Sequence, residues 1–181
     1  MSLIPTLRSE ISAQACLERA RLRVADWKQR KAHPTDPEIQ KAMVDFKKLT
    51  LQRTLANEPI HLEAALDYIA LQTELELPQQ QISKELALLT KAKHDFESAE
   101  DLLSKDYQES RAKYPQKTKI YEGYLRFIEA CILCCQAKQP QSEEAQNKLR
   151  AKAKELLLQI VDDRIHPTLT ARCQMQLERF L

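Results

Sequence analysis

A single glycine, Gly123, occurs in this chain of 181 residues, and that scarcity constrains the fold more than any other feature. Turns with positive φ, tight β-hairpins and phosphate-cradling loops all depend on glycine. The sequence therefore argues against a sheet-rich or nucleotide-binding fold. Gly123 itself lies within an apolar helical pattern, where glycine costs about 1 kcal/mol relative to alanine. We interpret it as a point at which two helices approach closely.

Residues 118–138 predict a central buried helix. Apolar residues recur at helical spacing from Ile120 to Cys135, and others widen the stripe until little of the circumference is polar. A helix that is apolar nearly all round is buried. The other segments are apolar on one side only, so we expect them to lie against this helix.

Proline-marked turns divide the chain into six to seven helical segments. This pattern predicts an all-α fold, either an antiparallel helical bundle or an irregular helical-hairpin stack. The predicted helices start at irregular intervals, so the sequence indicates no fixed repeat. The length favours one domain over residues 1–181, with a possible subdivision into 1–77 and 78–181.

Two of the predicted helix starts carry capping signals. Thr35 and Glu38 form a predicted capping box, with Pro37 in the first turn, where its missing N–H costs nothing. Ser142 is predicted to cap a later helix that begins at Glu143, an acidic residue placed where the helix dipole favours it. We expect one helix to begin at each of these signals.

The longest uninterrupted helical pattern runs from about residue 79 to residue 113. It carries apolar residues seven apart, which predict a coiled-coil-like seam: Ile82, Leu89, Phe96 and Leu103. At 1.5 Å per residue such a helix would be about 50 Å long. A compact globule of this size is only about 40 Å across. Either this helix projects as one arm of an elongated bundle, or it breaks at a point that the sequence does not indicate. We favour the elongated bundle.

The first predicted helix, from about residue 9 to residue 32, combines a narrow apolar stripe with many basic residues. Arg19, Arg23 and Arg30 are the candidates for contact with phosphates or with an acidic partner. A solvated basic face is the other interpretation, because no aromatic residues are interleaved for base stacking. Residues 58–77 contain five acidic residues and no Lys or Arg, so this segment would complement the basic helix within one chain or across a dimer.

Three cysteines lie close together in the predicted central helix. Cys131, Cys134 and Cys135 are spaced i, i+3 and i+4, so their sulfurs could share one face. With Cys16 or Cys173 as a fourth ligand they would form a zinc site. Small core residues are the other interpretation, because free cysteine is among the most buried residue types. Five cysteines in this arrangement fit a reducing compartment, so we expect a cytoplasmic location.

The predicted C-terminal helix keeps an apolar face up to the last residue of the sequence. Leu177, Phe180 and Leu181 are therefore candidates for contact with a partner. The longest run without a polar residue is only Ala130–Cys135, far shorter than the roughly 20 residues of a membrane-spanning helix. The net charge of +2 indicates neither nucleic acid nor a membrane surface as the partner.

The sequence contains no nucleophile elbow, Walker loop, His-Glu-x-x-His or dinucleotide motif. We therefore expect a non-enzymatic interaction module: an adaptor, scaffold subunit or dedicated chaperone that binds a partner helix or peptide. The partner would be another protein or a second copy, and we expect no metal, cofactor or small-molecule substrate. The alternatives are a nucleic-acid-binding protein that uses the first helix, and a metal-binding or redox protein that uses the cysteine cluster.

Overall fold

The computed structural model describes residues 4–51, 59–98, 108–109 and 112–179. These residues contain seven helices with defined bounds, and no strand is found among them: α1 (Ile4–Arg30), α2 (Pro37–Leu51), α3 (Pro59–Glu74), α4 (Pro78–Glu97), α5 (Pro115–Ala137), α6 (Glu143–Asp163) and α7 (Pro167–Glu178). The predicted all-α fold class is confirmed.

Contacts between Cα atoms divide the chain into two compact units. Unit 1 comprises residues 1–55 and 60–75 and contains α1, α2 and α3. Unit 2 comprises residues 56–59 and 76–181 and contains α4 to α7. The expectation that the chain is one domain stays a prediction.

In unit 1, α1 and α2 form an antiparallel hairpin. Arg19 pairs with Asp45, and Arg23, which lies further along α1, pairs with Glu38, which lies earlier in α2. This reversed order means that the two helices run in opposite directions. The core of unit 1 consists of buried side chains from all three helices: Ala13, Leu17, Ala20, Trp27, Ile39, Ala42, Phe46, Leu49, Ala64 and Leu71.

Helix α3 is buried around more of its circumference than its sequence indicates. Ala64 and Leu71 contact the core of unit 1, as an amphipathic helix would. Yet residues 61–66 are all buried, although the sequence predicts only one apolar side for this segment. The imidazole of His61 is accommodated because its Nδ1 lies 2.6 Å from the carbonyl oxygen of Leu49.

The N-cap of α2 is Asp36 rather than Thr35. The carboxylate of Asp36 accepts the backbone N–H of Glu38 at 2.9 Å, whereas the hydroxyl of Thr35 lies 2.9 Å from Nδ1 of His33. Pro37 occupies the first helical position, so the cap falls on the residue directly before it. The predicted capping box was therefore wrong: Asp36 caps the helix, and the residue three positions later, Ile39, has no side-chain acceptor to complete a box.

The C-terminus of α1 is a Schellman motif with a lysine in the left-handed region. The N–H of Ala32 donates to the carbonyl of Trp27, and the N–H of Lys31 donates to the carbonyl of Lys28. Lys31 has φ 50°, a conformation that glycine adopts without the penalty that a Cβ brings. The one glycine of the chain is thus absent from a position that favours it.

We predict that Lys31→Gly stabilises unit 1 by about 0.5 kcal/mol, because relief of the left-handed strain outweighs the added freedom of the unfolded chain. Urea unfolding followed by the fluorescence of Trp27, the only tryptophan, measures the change. Lys31→Ala is the matched control and brings no gain, because alanine keeps the Cβ. Equal midpoints for the glycine and alanine variants would contradict this account of the cap.

In unit 2, α5 is the central helix, and α4, α6 and α7 all contact it. Thirteen of its residues are buried, from Thr118 to Ala137, which confirms that this segment is a buried helix. It is the central helix of unit 2, whereas α1, α2 and α3 pack around the separate core of unit 1. Helix α6 begins where predicted, since the hydroxyl of Ser142 accepts the backbone N–H of Ala145 at 3.3 Å. The central position of α5 follows from its apolar circumference, which no single neighbour can cover.

The long helix predicted for residues 79–113 is interrupted. Helix α4 ends at Glu97, and Ser98 has extended backbone angles, φ −57° and ψ 141°. The hydroxyl of Tyr121 in α5 donates to the carbonyl of Phe96 at 3.2 Å and so satisfies a carbonyl in the last turn of α4. Of the predicted seam, Leu89 is buried and Phe96 contacts the Tyr121 ring, while Leu103 lies outside the described residues. The expectation of one projecting helix was wrong.

Gly123 lies where α5 meets the start of α7, as predicted. A Cβ at this position would stand 2.9 Å from Cδ2 of Leu169 and 3.3 Å from Cδ1 of Ile165. Both neighbouring side chains are buried, so they fill the space that a larger residue would need. The backbone of Gly123 does not have positive φ, so this position requires glycine for space rather than for conformational freedom.

Candidate partner-binding site

The basic residues predicted to face a partner are engaged by carboxylates of unit 1. Arg19 pairs with Asp45, Arg23 with Asp45 and Glu38, and Arg30 with Asp26 and Asp36. The hydrogen bond from Arg30 lowers the pKa of the Asp36 carboxyl, and the bond to Asp45 raises the pKa of Arg19. A phosphate group would have to compete with these carboxylates for each of the three arginines.

Arg21 is the residue that joins α1 to α3. Its guanidinium donates to Asp67 at 2.7 Å and to Glu63 at 2.8 Å, both on α3, and also to Glu18 at 2.9 Å. Burial lowers the pKa of Arg21, but Asp67 and Glu63 outweigh that effect and raise it above its ordinary value. The basic helix and the acidic segment were predicted to pair either within one chain or across a dimer. These ion pairs lie within one chain.

A second ion pair connects the same two helices seven residues further along each of them. Lys28 lies 2.6 Å from Glu74, so both partners are seven residues beyond the Arg21–Asp67 pair. Since the two pairs follow the same order on each helix, α1 and α3 run parallel. Seven residues of helix span about 10 Å. The two ion pairs therefore bridge α1 and α3 at two points about 10 Å apart, and we call them the rungs.

An open groove lies between these rungs, and we call it the α1–α3 groove. Its rim carries Ala25 and Ala70, whose side chains are exposed. Its floor consists of Val24, Leu71 and Phe46. The groove exists because alanine fills little of the space between two helices that long charged side chains bridge.

The α1–α3 groove has a volume of about 290 Å³. That volume is at or just below the lower end of the roughly 300–1,000 Å³ typical of small-molecule pockets, so the groove suits one or two amino-acid side chains. Leu22 precedes Ala25 by one helical turn and is 70% exposed, which extends the apolar surface outwards from the rim. Sequence reasoning missed this site, because the groove depends on the pairing of two helices that are distant in sequence.

Only one of the three C-terminal residues predicted to bind a partner lies within the described residues. Leu177 is half-buried on α7, and Phe180 and Leu181 lie outside the described residues. Leu169 and Cys173 on the same helix are fully buried, so much of the apolar face of α7 is already covered within unit 2. Leu177 stays a predicted partner-binding residue.

The cysteine cluster is part of the core of unit 2. Cys131, Cys134 and Cys135 on α5 and Cys173 on α7 are all free and buried. Burial raises the pKa of the Cys135 and Cys173 thiols to about 12, and the pKa of Cys131 is also raised. Zinc binds the thiolate form, which this setting disfavours. No group of three or more His, Cys, Asp or Glu side chains in the described part of the chain is arranged to hold a metal ion.

We predict that unit 2 loses stability as the pH rises above about 9. Unfolded thiols ionise near pH 8.5, whereas the folded Cys135 and Cys173 thiols keep their protons up to about pH 12, so high pH favours the unfolded chain. Because pH 10 lies about 1.5 units above the pKa of the unfolded thiol, the expected loss at that pH is about 2 kcal/mol for each thiol. Urea unfolding followed by circular dichroism measures it. The matched variant, Cys135→Ala with Cys173→Ala, should show a shallower decline, and an identical decline would contradict the assignment.

No protein-family model, curated protein or solved structure matches the chain. Within the described residues, no helix is both long enough and apolar enough to cross a membrane. The fold and the α1–α3 groove thus define an all-α protein with a small cleft between two parallel helices of unit 1.

Proposed function

We propose that this protein is a non-enzymatic interaction module that binds a helix or peptide through the α1–α3 groove. The observation that carries the proposal is the exposed apolar groove itself, with Phe46 at its floor and two alanines at its rim. Grooves between helices accept amphipathic helices, whose bulky side chains enter the space that small residues leave open. The five free cysteines support a reducing, cytoplasmic setting.

The charges around the groove are consistent with a role in recognition. The charges of the four charged side chains that line the groove sum to zero, so a bound segment need not carry a large net charge: Arg21, Lys28, Asp67 and Glu74. The rungs also keep α1 and α3 at a fixed separation, so the groove exists before a partner arrives. Preformed sites lose less conformational entropy on binding than sites that must be ordered.

The test fills the groove without changing the net charge, and the control pair carries the same small loss of helix propensity. Ala25→Gln combined with Ala70→Gln places two long polar side chains at the rim, and glutamine is a good helix former. Ala15→Gln combined with Ala87→Gln is the matched control, since those alanines are also exposed on helices but lie outside the groove. Immobilised chains are compared for the proteins that they retain from native extract.

The expected result is that the wild-type chain and the control pair retain the same partners and that the groove variant loses at least one of them. Circular dichroism and Trp27 fluorescence establish that all three proteins are equally folded. Identical retention by all three chains would contradict a role for the groove in binding.

A further inference from the structure

We infer that the occupant of the α1–α3 groove is the same surface of a second copy of this chain, which forms a two-fold symmetric dimer. This inference rests on the proposed function and names the partner. It follows from the opposite signs of the two walls. The α1 wall presents Arg21 and Lys28, and the α3 wall presents Asp67 and Glu74. A surface with one basic and one acidic wall is complementary to a rotated copy of itself.

The symmetry operation is a two-fold axis along the groove, parallel to α1 and α3. Rotation about this axis sets α1 of one copy against α3 of the other and leaves every residue at its height along the axis. The ion pair of 2.6 Å already places Lys28 and Glu74 at the same height within one chain. Lys28 of one copy therefore meets Glu74 of the other, and the symmetric contact forms at the same time.

The side chains that would make these contacts are accessible. The side chain of Lys28 is 51% exposed and that of Glu74 is 42% exposed, so both retain hydrogen-bonding capacity towards a second chain. Ala25 and Ala70 allow the two surfaces to approach closely, as small residues do between packed helices. Leu22, which is exposed beside the rim, would gain cover from α3 of the other copy.

A double variant in which Lys28 and Glu74 exchange their charges distinguishes this dimer from other modes of association. Lys28→Glu combined with Glu74→Lys preserves the ion pair within each chain. At that end of the groove, it makes the α1 wall acidic and the α3 wall basic. Two copies of the double variant remain complementary to each other. When the double variant faces a wild-type chain, its new carboxylate at position 28 meets Glu74 and its new ammonium at position 74 meets Lys28. Such like-charge contacts disfavour the mixed pair. When two copies of the single variant Lys28→Glu meet, the new carboxylate at position 28 faces Glu74 at both symmetric contacts, so self-association of this variant is disfavoured.

Sedimentation equilibrium of the full chain, with wild-type protein labelled at its α-amino group as tracer, measures each pairing. We expect wild type and double variant each to self-associate with similar affinity, their mixed dimer to be at least about tenfold weaker, and Lys28→Glu to lose at least about tenfold in self-association. The control exchange, Lys84→Glu with Glu76→Lys, swaps an ion pair on unit 2 and should still pair with wild type.

A monomer at every attainable concentration, or mixed dimers as strong as the parental ones, would overturn the second-copy inference. If retention of other proteins is nevertheless lost when Ala25 and Ala70 are replaced, the proposed interaction function stands with a different partner. If neither self-association nor retention responds to changes in the groove, both proposals fail together.

Discussion

Replacement of Arg21 by alanine is expected to lower the free energy of unfolding of unit 1 by about 3 kcal/mol. The substitution leaves Glu63, which is only 9% exposed, without its guanidinium partner, and it also removes the contact to Asp67. Removal of one member of a buried ion pair costs roughly 3–5 kcal/mol, and the partial exposure of Arg21 places this case at the lower end. Urea unfolding followed by Trp27 fluorescence reports the loss.

Two further variants test whether the cost arises from the loss of the guanidinium charge beside the buried carboxylate of Glu63. Arg21→Lys should lose less than alanine does, because an ammonium keeps the charge but cannot bridge Glu63 and Asp67 with a planar fork. Glu63→Gln in the Arg21→Ala background should restore part of the lost stability, because the buried group is then neutral. Equal stability of the single and double variants would show that the cost arises elsewhere.

Replacement of Gly123 by leucine is expected to destabilise unit 2 by about 3 kcal/mol. The position has no room for a larger side chain, because Leu169 and Ile165 already occupy the space beside it. Overpacking of a filled core costs about 1–3 kcal/mol, and a whole isobutyl group falls at the upper end of that range. Circular dichroism during urea unfolding measures the effect. A second measurement is the alkylation of the buried cysteines of unit 2, followed by mass spectrometry, because these thiols react when the unit unfolds.

Alanine at the same position should change stability by less than about 1 kcal/mol. It gains about 1 kcal/mol in helix propensity, and that gain is offset because its Cβ would displace Cδ2 of Leu169, now 2.9 Å away. Leucine at Ala151, an exposed residue of α6, is the control for the added side chain and should be nearly neutral. A leucine at position 123 that unfolds at the wild-type midpoint would rule out the close approach.

Features of the fold that depend on local sequence could be predicted well. The apolar circumference of residues 118–138 predicts burial because it leaves no side of the helix for solvent. Ser142 indicates the start of α6, because its hydroxyl accepts a free N–H of the first turn. Gly123 could be interpreted because glycine within a helix is unfavourable unless it relieves crowding.

Features that depend on contacts between distant residues could not be predicted. No helix breaker precedes Ser98, and α4 ends where Tyr121 donates to a carbonyl of its last turn. The N-cap of α2 is Asp36 rather than the predicted Thr35, and Asp36 also pairs with Arg30 of α1. In the candidate site, the opposite charges of α1 and α3 were visible in the sequence, but the register that aligns Lys28 with Glu74 was not.

The two alanines of the α1–α3 groove bear on how such a protein evolves. Unit 1 is held together by its core and by the rungs on either side, and neither Ala25 nor Ala70 belongs to that core. Exposed helical positions of this kind tolerate substitution with little loss of stability. If the α1–α3 groove binds a partner as proposed, substitutions at these two positions would change what it binds while the core and the ion pairs of unit 1 stay intact.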